Sequence, residues 1–202
     1  MITKEWCQLK EELHQRNPLF GAGGWRWANA VCGIASEYGC RTVLDYGCGK
    51  GTLARQIKGH LDVRNYDPAV PEFSGDPEPA DMLVSIDMLE HVEPEFLGST
   101  LEYMVELTKK VAFIVVGTRP SDKNMSDGHN AHLIIEQMTW WLGQIRLYFS
   151  IIKAQDASEP GYFQKWRRPI TRPRGAIPLM AKKRRMIMRP GMEFRCLCTP
   201  LC

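Results

Sequence analysis

Between residues 42 and 58 the chain changes hydrophobic period twice. Thr42-Val43-Leu44 is a short apolar run that stops at Asp45, Tyr46-Gly47-Cys48-Gly49-Lys50-Gly51 follows, and residues 52–58 return to helical spacing. Strand, glycine turn and helix in that order make the first half of a βαβ unit. This feature constrains the fold most, because parallel strands need long crossovers and the crossover helices cover the sheet. The alternation continues along the chain. Apolar periodicity predicts helices over 3–16, 25–38, 94–109 and 140–147, and strands over 61–66, 82–86, 111–116, 149–154 and 193–198. The expected fold class is therefore α/β, a doubly wound, mostly parallel sheet preceded by N-terminal helices. Ligands of such sheets sit at the carboxyl ends of the strands.

The glycine turn by itself admits several chemistries. A phosphate-binding loop needs G-x-x-x-x-G-K-[ST], and here Lys50 is followed by Gly51. The dinucleotide pattern G-x-G-x-x-G fails as well, since the glycine after Gly49 comes two residues on, not three. What stands in the sequence is D-x-G-x-G-x-G, then Asp67 at the end of the second strand, then Asp81-Met82-Leu83-Val84-Ser85-Ile86-Asp87-Met88-Leu89-Glu90-His91-Val92. Three motifs in this order resemble the class I S-adenosylmethionine-dependent methyltransferases over roughly residues 40–155. The resemblance implies a Rossmann-like fold and S-adenosyl-L-methionine as cofactor. It places Asp45, Gly47, Cys48, Gly49, Asp67, Pro68, Asp87 and Met88 around that cofactor. Asp67 matches the ribose-binding acid, Asp87 lies at the cofactor's edge near the methyl group, and Met88 is set against the adenine. A carboxylate can accept both ribose hydroxyls, and Asp45 with the carbonyls of the 47–49 turn can face the ammonium and sulfonium charges. The plainer alternatives are that Asp45 only caps the turn and that Met88 is core.

The sequence departs from that family between Asp67 and Met82. Only fourteen residues, rich in proline and acid, separate them, too few for helix, strand and second helix. The usual third strand is expected to be lost or reduced, and Phe73, Gly75 and Asp76 are the replacements on offer for adenine contacts.

On the acceptor side, Asp87, Glu90 and His91 form D-x-x-E-H, and His129 and His132 follow the 111–116 strand. This region is similar to the small-RNA 2′-O-methyltransferases, in which E-x-x-E-H and a later histidine hold a divalent metal. The matching positions are Asp87, Glu90, His91 and His132, and a metal there would activate a hydroxyl. Without metal, His91, His129 and His132 with Asp87 surround the acceptor and a histidine serves as base. Arg119 is the candidate clamp for an anionic substrate. Trp25 and Trp27, beside the glycine link 21–24, are candidates for a lid, and Trp140-Trp141 reads as core. The D/N-P-P-Y/F motif of exocyclic-amine methylation is absent after Ile86, and Cys48 is misplaced for a cytosine-C5 nucleophile.

Composition sets the outer bounds. At 202 residues with 44% hydrophobic content the chain suits one domain, divided into N-terminal helices (1–39), a cofactor-binding core (40–155) and a basic insertion (160–192) before the last strand. No apolar run reaches the roughly 20 residues of a membrane span, and seven cysteines at irregular spacings suit free thiols in a cytoplasmic setting. The net charge of +3 hides an asymmetry: residues 1–159 carry −7 and residues 160–202 carry +10. The expected function is methyl transfer to a small acceptor, phosphorylated ones included, at oxygen. The alternatives are a nucleic-acid methyltransferase that grips phosphates with 160–192, and a non-catalytic cofactor-binding module. No membrane partner is expected.

Overall fold

Alternate apolar residues in the central strands send their side chains to opposite faces of one sheet, and this division builds two cores. A computed structural model describes residues 2–156 and 193–201. The strands are β1 (Thr42–Tyr46), β2 (Asp62–Tyr66), β3 (Ala80–Ile86), β4 (Thr108–Gly117), β5 (Phe149–Asp156) and β6 (Glu193–Pro200). Their order in the sheet is β2-β1-β3-β4-β6-β5. β1 to β4 are mutually parallel, while β6 runs antiparallel to both β4 and β5.

The helices are α1 (Lys4–Arg16), α2 (Ala28–Glu37), α3 (Thr52–Gln56), α4 (Leu97–Glu106) and α5 (Met138–Ile145). Val43, Met82, Val84, Val111, Phe113 and Val115 pack with Val31, Ile34 and Leu53 of α2 and α3. Leu44, Leu83, Ala112, Ile114 and Val116 pack on the other face with Leu101, Met104, Trp141 and Ile145 of α4 and α5. In-register pairs such as Val43 with Met82 and Leu44 with Leu83 keep each face continuous across strands.

α1 is not part of either layer. Thr3 caps it, its Oγ1 accepting from the Trp6 amide at 3.1 Å while its own amide donates to Glu93 at 2.8 Å. The Trp6 indole donates to the His91 carbonyl at 2.8 Å, and Arg16 donates to the Asn124 carbonyl at 2.5 Å. Trp6 and Leu13 share a third apolar cluster with Met125 and Ala131. The helix thus lies across the carboxyl ends of the strands and joins the 118–133 loop as a roof.

Two expectations shift in detail and a third holds. The helix over 25–38 opens with a 3-10 turn at Gly24–Trp27 before α2. The helix over 94–109 ends at Glu106, because Thr108 already pairs with Ala80 and starts β4. Between β2 and β3 only a 3-10 turn at Pro71–Phe73 remains, so the short, proline-rich connection does omit a strand. The basic insertion 160–192 lies outside the described residues. Among the described residues no helix is long and apolar enough to cross a membrane.

Candidate active site

A cavity of about 430 Å³ opens where the ends of β1, β3 and β4 meet the roof made by α1 and the 19–26 segment. Its floor is the glycine turn after β1. The amides of Gly47 and Cys48 donate to the Tyr66 carbonyl at 2.7 and 3.0 Å, which locks the turn against the end of β2. Asp67 reaches back from that end, one carboxyl oxygen accepting from the Gly49 amide at 2.9 Å and the other from the Ala69 amide at 3.0 Å. Gly49 has φ +52, and a Cβ there would stand 2.5 Å from the Gly21 carbonyl oxygen. Only glycine lets the 19–26 segment come so close, and the Lys50 amide then donates to that same carbonyl at 2.9 Å. A Cβ on Gly47 would overlap Met88, which makes the turn and the end of β3 contiguous.

Two buried groups of this floor have displaced titrations. Burial, reinforced by the charge of Asp67, pushes the Asp45 carboxyl up to about 7. The Cys48 thiol is pushed far up by burial and by the neighbouring Asp45 and Asp67, so it stays protonated.

At the end of β3 the backbone turns sharply. Asp87 has φ +50, the only positive φ outside glycine among the described residues, and its amide donates to the Val115 carbonyl. Its carboxyl meets the Arg26 guanidinium at 3.0 Å, with about a third of each side chain open to solvent. Burial pushes the Asp87 carboxyl up, and Arg26 acts against that shift.

Beyond it, Leu89–His91 forms a 3-10 turn that aims two side chains at the end of β4. Glu90 is fully buried; its Oε1 accepts from the Gly117 amide at 2.7 Å and its Oε2 has no partner. Burial and the charge of Asp87 raise its pKa well above the usual carboxylate range. His91 Nδ1 donates to the Ala131 carbonyl at 2.5 Å, and His132 Nδ1 to the Arg119 carbonyl at 2.6 Å. A carbonyl only accepts, so each Nδ1 carries its proton and each neutral ring presents a bare Nε2. Burial holds both imidazoles below their ordinary pKa, His91 the more strongly, which keeps that neutral form. The two rings stand edge to face, 4.7 Å between centroids. Glu90, His91 and His132 can bring one ligand atom each to within 4.8 Å of one another.

Most of the residues singled out in the sequence line this cavity: Asp45, Gly47, Cys48, Gly49, Asp67, Asp87, Met88, Glu90, His91, Arg119 and His132. Others stand elsewhere. His129 is exposed and pairs with Asp127 at 2.9 Å, because the 124–130 segment closes into a tight hairpin with Met125 and His129 in backbone contact. Trp25 is 51% exposed and outside the lining, whereas Trp27 is core, packed edge-on to Phe113. Of the same segment it is Leu19, Phe20 and Arg26 that line the cavity. Pro68 contributes only its carbonyl, which accepts from the Cys7 thiol at 3.2 Å. Asp87 is absent from the three-residue ligand group, since its carboxyl is turned to Arg26. Phe73, Gly75 and Asp76 do not line the cavity.

Lys10, His14, Arg26 and Glu193 line it without having been singled out. The amphipathic pattern of 3–16 carried a signal for two of them, since Lys10 and His14 fall on the same face as Trp6 and Leu13 and are buried with them. Nothing in the sequence pointed Arg26 at Asp87.

No protein-family profile and no curated protein matches the chain. Solved structures do. The 1,6-didemethyltoxoflavin N1-methyltransferase of Burkholderia thailandensis, crystallised with its substrate and S-adenosylhomocysteine, superposes with TM-score 0.59 at 14% identity, over 93% of this chain and 83% of that one. An S-adenosylmethionine-dependent methyltransferase of Clostridium acetobutylicum gives 0.58 at 9% identity, over 93% and 96%. The N-methyltransferase NodS of Bradyrhizobium japonicum, bound to S-adenosylhomocysteine, gives 0.53 at 9% identity, over 85% and 83%. At these identities the likeness is one of fold: the chain has the Rossmann-like fold of the class I S-adenosylmethionine-dependent methyltransferases.

Proposed function

We propose that this chain, folded as those methyltransferases are, is itself an S-adenosyl-L-methionine-dependent methyltransferase acting on a small acceptor at oxygen. The observation that carries the reading is the convergence of Asp45, Asp67 and Asp87 at the tips of three neighbouring strands around a single cavity floored by the glycine turn. Asp67 holds the turn through one oxygen and the Ala69 amide through the other, and has lone pairs left for ribose hydroxyls. Asp45 and Asp87 give the cofactor's ammonium and sulfonium charges two carboxyls to face. In this reading the neutral Nε2 of His91 or His132 takes a proton from an acceptor hydroxyl as it attacks the methyl carbon in line. The test is calorimetric titration with S-adenosylhomocysteine, for which micromolar or tighter binding is expected. Absence of binding by folded protein removes the reading. Retained binding with no transfer to any hydroxyl-bearing acceptor favours a cofactor-binding module without turnover.

A second reading adds a divalent cation held by Glu90, His91 and His132. Its support is specific: Glu90 Oε2 is buried without a partner, and both histidines are oriented through Nδ1 by backbone carbonyls, as metal-bound imidazoles commonly are. Such an ion would lower the pKa of a hydroxyl and orient it toward the methyl group. Manganese binding that disappears in Glu90→Gln and His132→Ala supports it, and no binding by the unmodified chain rejects it.

A nucleic-acid acceptor gripped by 160–192 remains the alternative on the substrate side, supported by the charge of that segment alone. It requires binding of a mixed oligonucleotide that weakens steeply with salt.

A further inference from the structure

We propose that Lys10 and His14, on the cavity side of α1, form a subsite for an anionic group, carboxylate or phosphate, of a bound ligand. Trp6, Lys10 and His14 succeed one another at four-residue intervals and so share one face of the helix. That face is fixed in rotation at both ends. The Trp6 indole donates to the His91 carbonyl, and the His14 ring stands edge-on to Phe20, 4.7 Å between centroids, with Phe20 in turn edge-on to His91 at 5.6 Å.

Between these anchors Lys10 lines the cavity at 8% exposure. It makes no hydrogen bond and no ion pair among the described residues. The stem of Lys10 is buried and its ammonium, which no described residue pairs, is left to the open space of the cavity, where an anion can meet it. His14 Nδ1 is buried without a partner. Burial pushes the His14 imidazole down to about 4, so it faces the cavity as a neutral ring, and the second cation here is Lys50, whose Nζ donates to the His14 carbonyl at 2.7 Å. The carboxyls that face this group, Asp45, Asp67 and Asp87, belong to the strand tips, and each of Asp67 and Asp87 already holds partners of the protein's own. The cavity is therefore polarised, acid at the sheet and base at the roof, which suits a ligand carrying both signs of charge.

Two sources can supply the anion: the carboxylate of the cofactor's amino-acid tail, or an acid group on the acceptor. Which of the two it is rests on the methyltransferase reading; the subsite itself does not. The full chain and its Lys10→Met and Lys10→Arg variants are titrated calorimetrically with S-adenosylhomocysteine, with 5′-methylthioadenosine, which lacks the amino-acid tail, and with inorganic phosphate in the presence and absence of each nucleoside. If Lys10→Met weakens S-adenosylhomocysteine about tenfold or more, the scale of one charge-assisted hydrogen bond, and leaves methylthioadenosine unchanged, the cofactor's carboxylate occupies the subsite. If both nucleosides bind as before while phosphate binding to the S-adenosylhomocysteine complex is lost, the acceptor's acid group does. Lys10→Arg retains binding in either case. The proposal is overturned if Lys10→Met binds all three probes like the parent chain, or loses the two nucleosides alike. Should the parent chain bind neither nucleoside, the methyltransferase reading falls, and phosphate titration of the unliganded protein still decides the subsite: binding that depends on Lys10 upholds it, and its absence rejects it.

Discussion

The guanidinium of Arg26 stands 3.0 Å from the carboxyl of Asp87, a residue held at φ +50 at the end of β3. The pair ties the 19–26 segment to the strand tips and places a protein cation beside the carboxyl assigned to the cofactor's edge. With both side chains about a third exposed, its contribution to stability is about 1 kcal/mol or less. A double-mutant cycle of Arg26→Met and Asp87→Asn, followed by urea unfolding, is expected to give a coupling energy of that size. A coupling of several kcal/mol would mean a far drier pair than the structure has.

In the proposed function Asp67 has two tasks, and substitution separates them. Asp67→Ala leaves the Gly49 and Ala69 amides without their acceptors, and about 1–3 kcal/mol of stability is expected to go with them. S-adenosylhomocysteine affinity is expected to fall by a similar amount. Asp67→Asn keeps one carbonyl oxygen and is expected to recover part of the stability but little of the affinity. Calorimetry alongside denaturant unfolding measures both.

Gly49→Ala forces a Cβ against the Gly21 carbonyl at a left-handed backbone position. A loss of more than about 1 kcal/mol is expected, together with faster hydrogen exchange at the Lys50 amide, which is bonded to that carbonyl. An unchanged midpoint and unchanged exchange would show that the close approach of the two segments does not exist in solution.

Asp45 couples stability to pH. Its carboxyl is raised to about 7 in the folded chain, from an unfolded value near the ordinary 3.8. The neutral form is thus the one folding favours, and its contribution is complete below about pH 4 and lost as pH rises through 7. Asp45→Asn is expected to gain stability relative to the parent chain across that window, with a pH-independent difference below it. In the proposed function the ionised form faces the ammonium, so S-adenosylhomocysteine affinity is expected to rise between pH 6 and 8 in the parent and to stay flat in the variant.

Glu90→Gln preserves the acceptor for the Gly117 amide and removes a carboxyl whose ionisation burial opposes. Its melting temperature is expected to equal or exceed the parent's. Transfer to a hydroxyl acceptor is expected to drop about 100-fold if Glu90 serves the reacting end. Full activity in this variant would leave the buried carboxyl a structural role only.

Much of the fold was legible because its signals are local. The glycine turn between an apolar run and a helix and the buried apolar runs 82–86 and 111–116 each state their geometry within a few residues. The shortened connection after Asp67 was countable. The site was legible only where it sits in those motifs: Asp45, Gly47, Gly49, Asp67, Asp87, Glu90 and His91 follow strand ends, and a parallel sheet gathers strand ends on one edge. His132 reached the cavity and His129 did not, although only two residues separate them, because a backbone hairpin turns one inward and the other to solvent.

By itself, then, the amino-acid order determined the alternation of strand and helix, the glycine conformations and the edge at which a ligand must bind, since all three follow from short-range sterics and hydrophobic period. Only the tertiary structure decided which distant side chains share that edge. Arg26 meets Asp87 across 61 positions, and α1 carries Lys10 and His14 over the strand tips through bonds to His91 and Asn124. Such pairings depend on how a roof helix docks, and docking is set by packing of whole faces, which no window of neighbouring residues records.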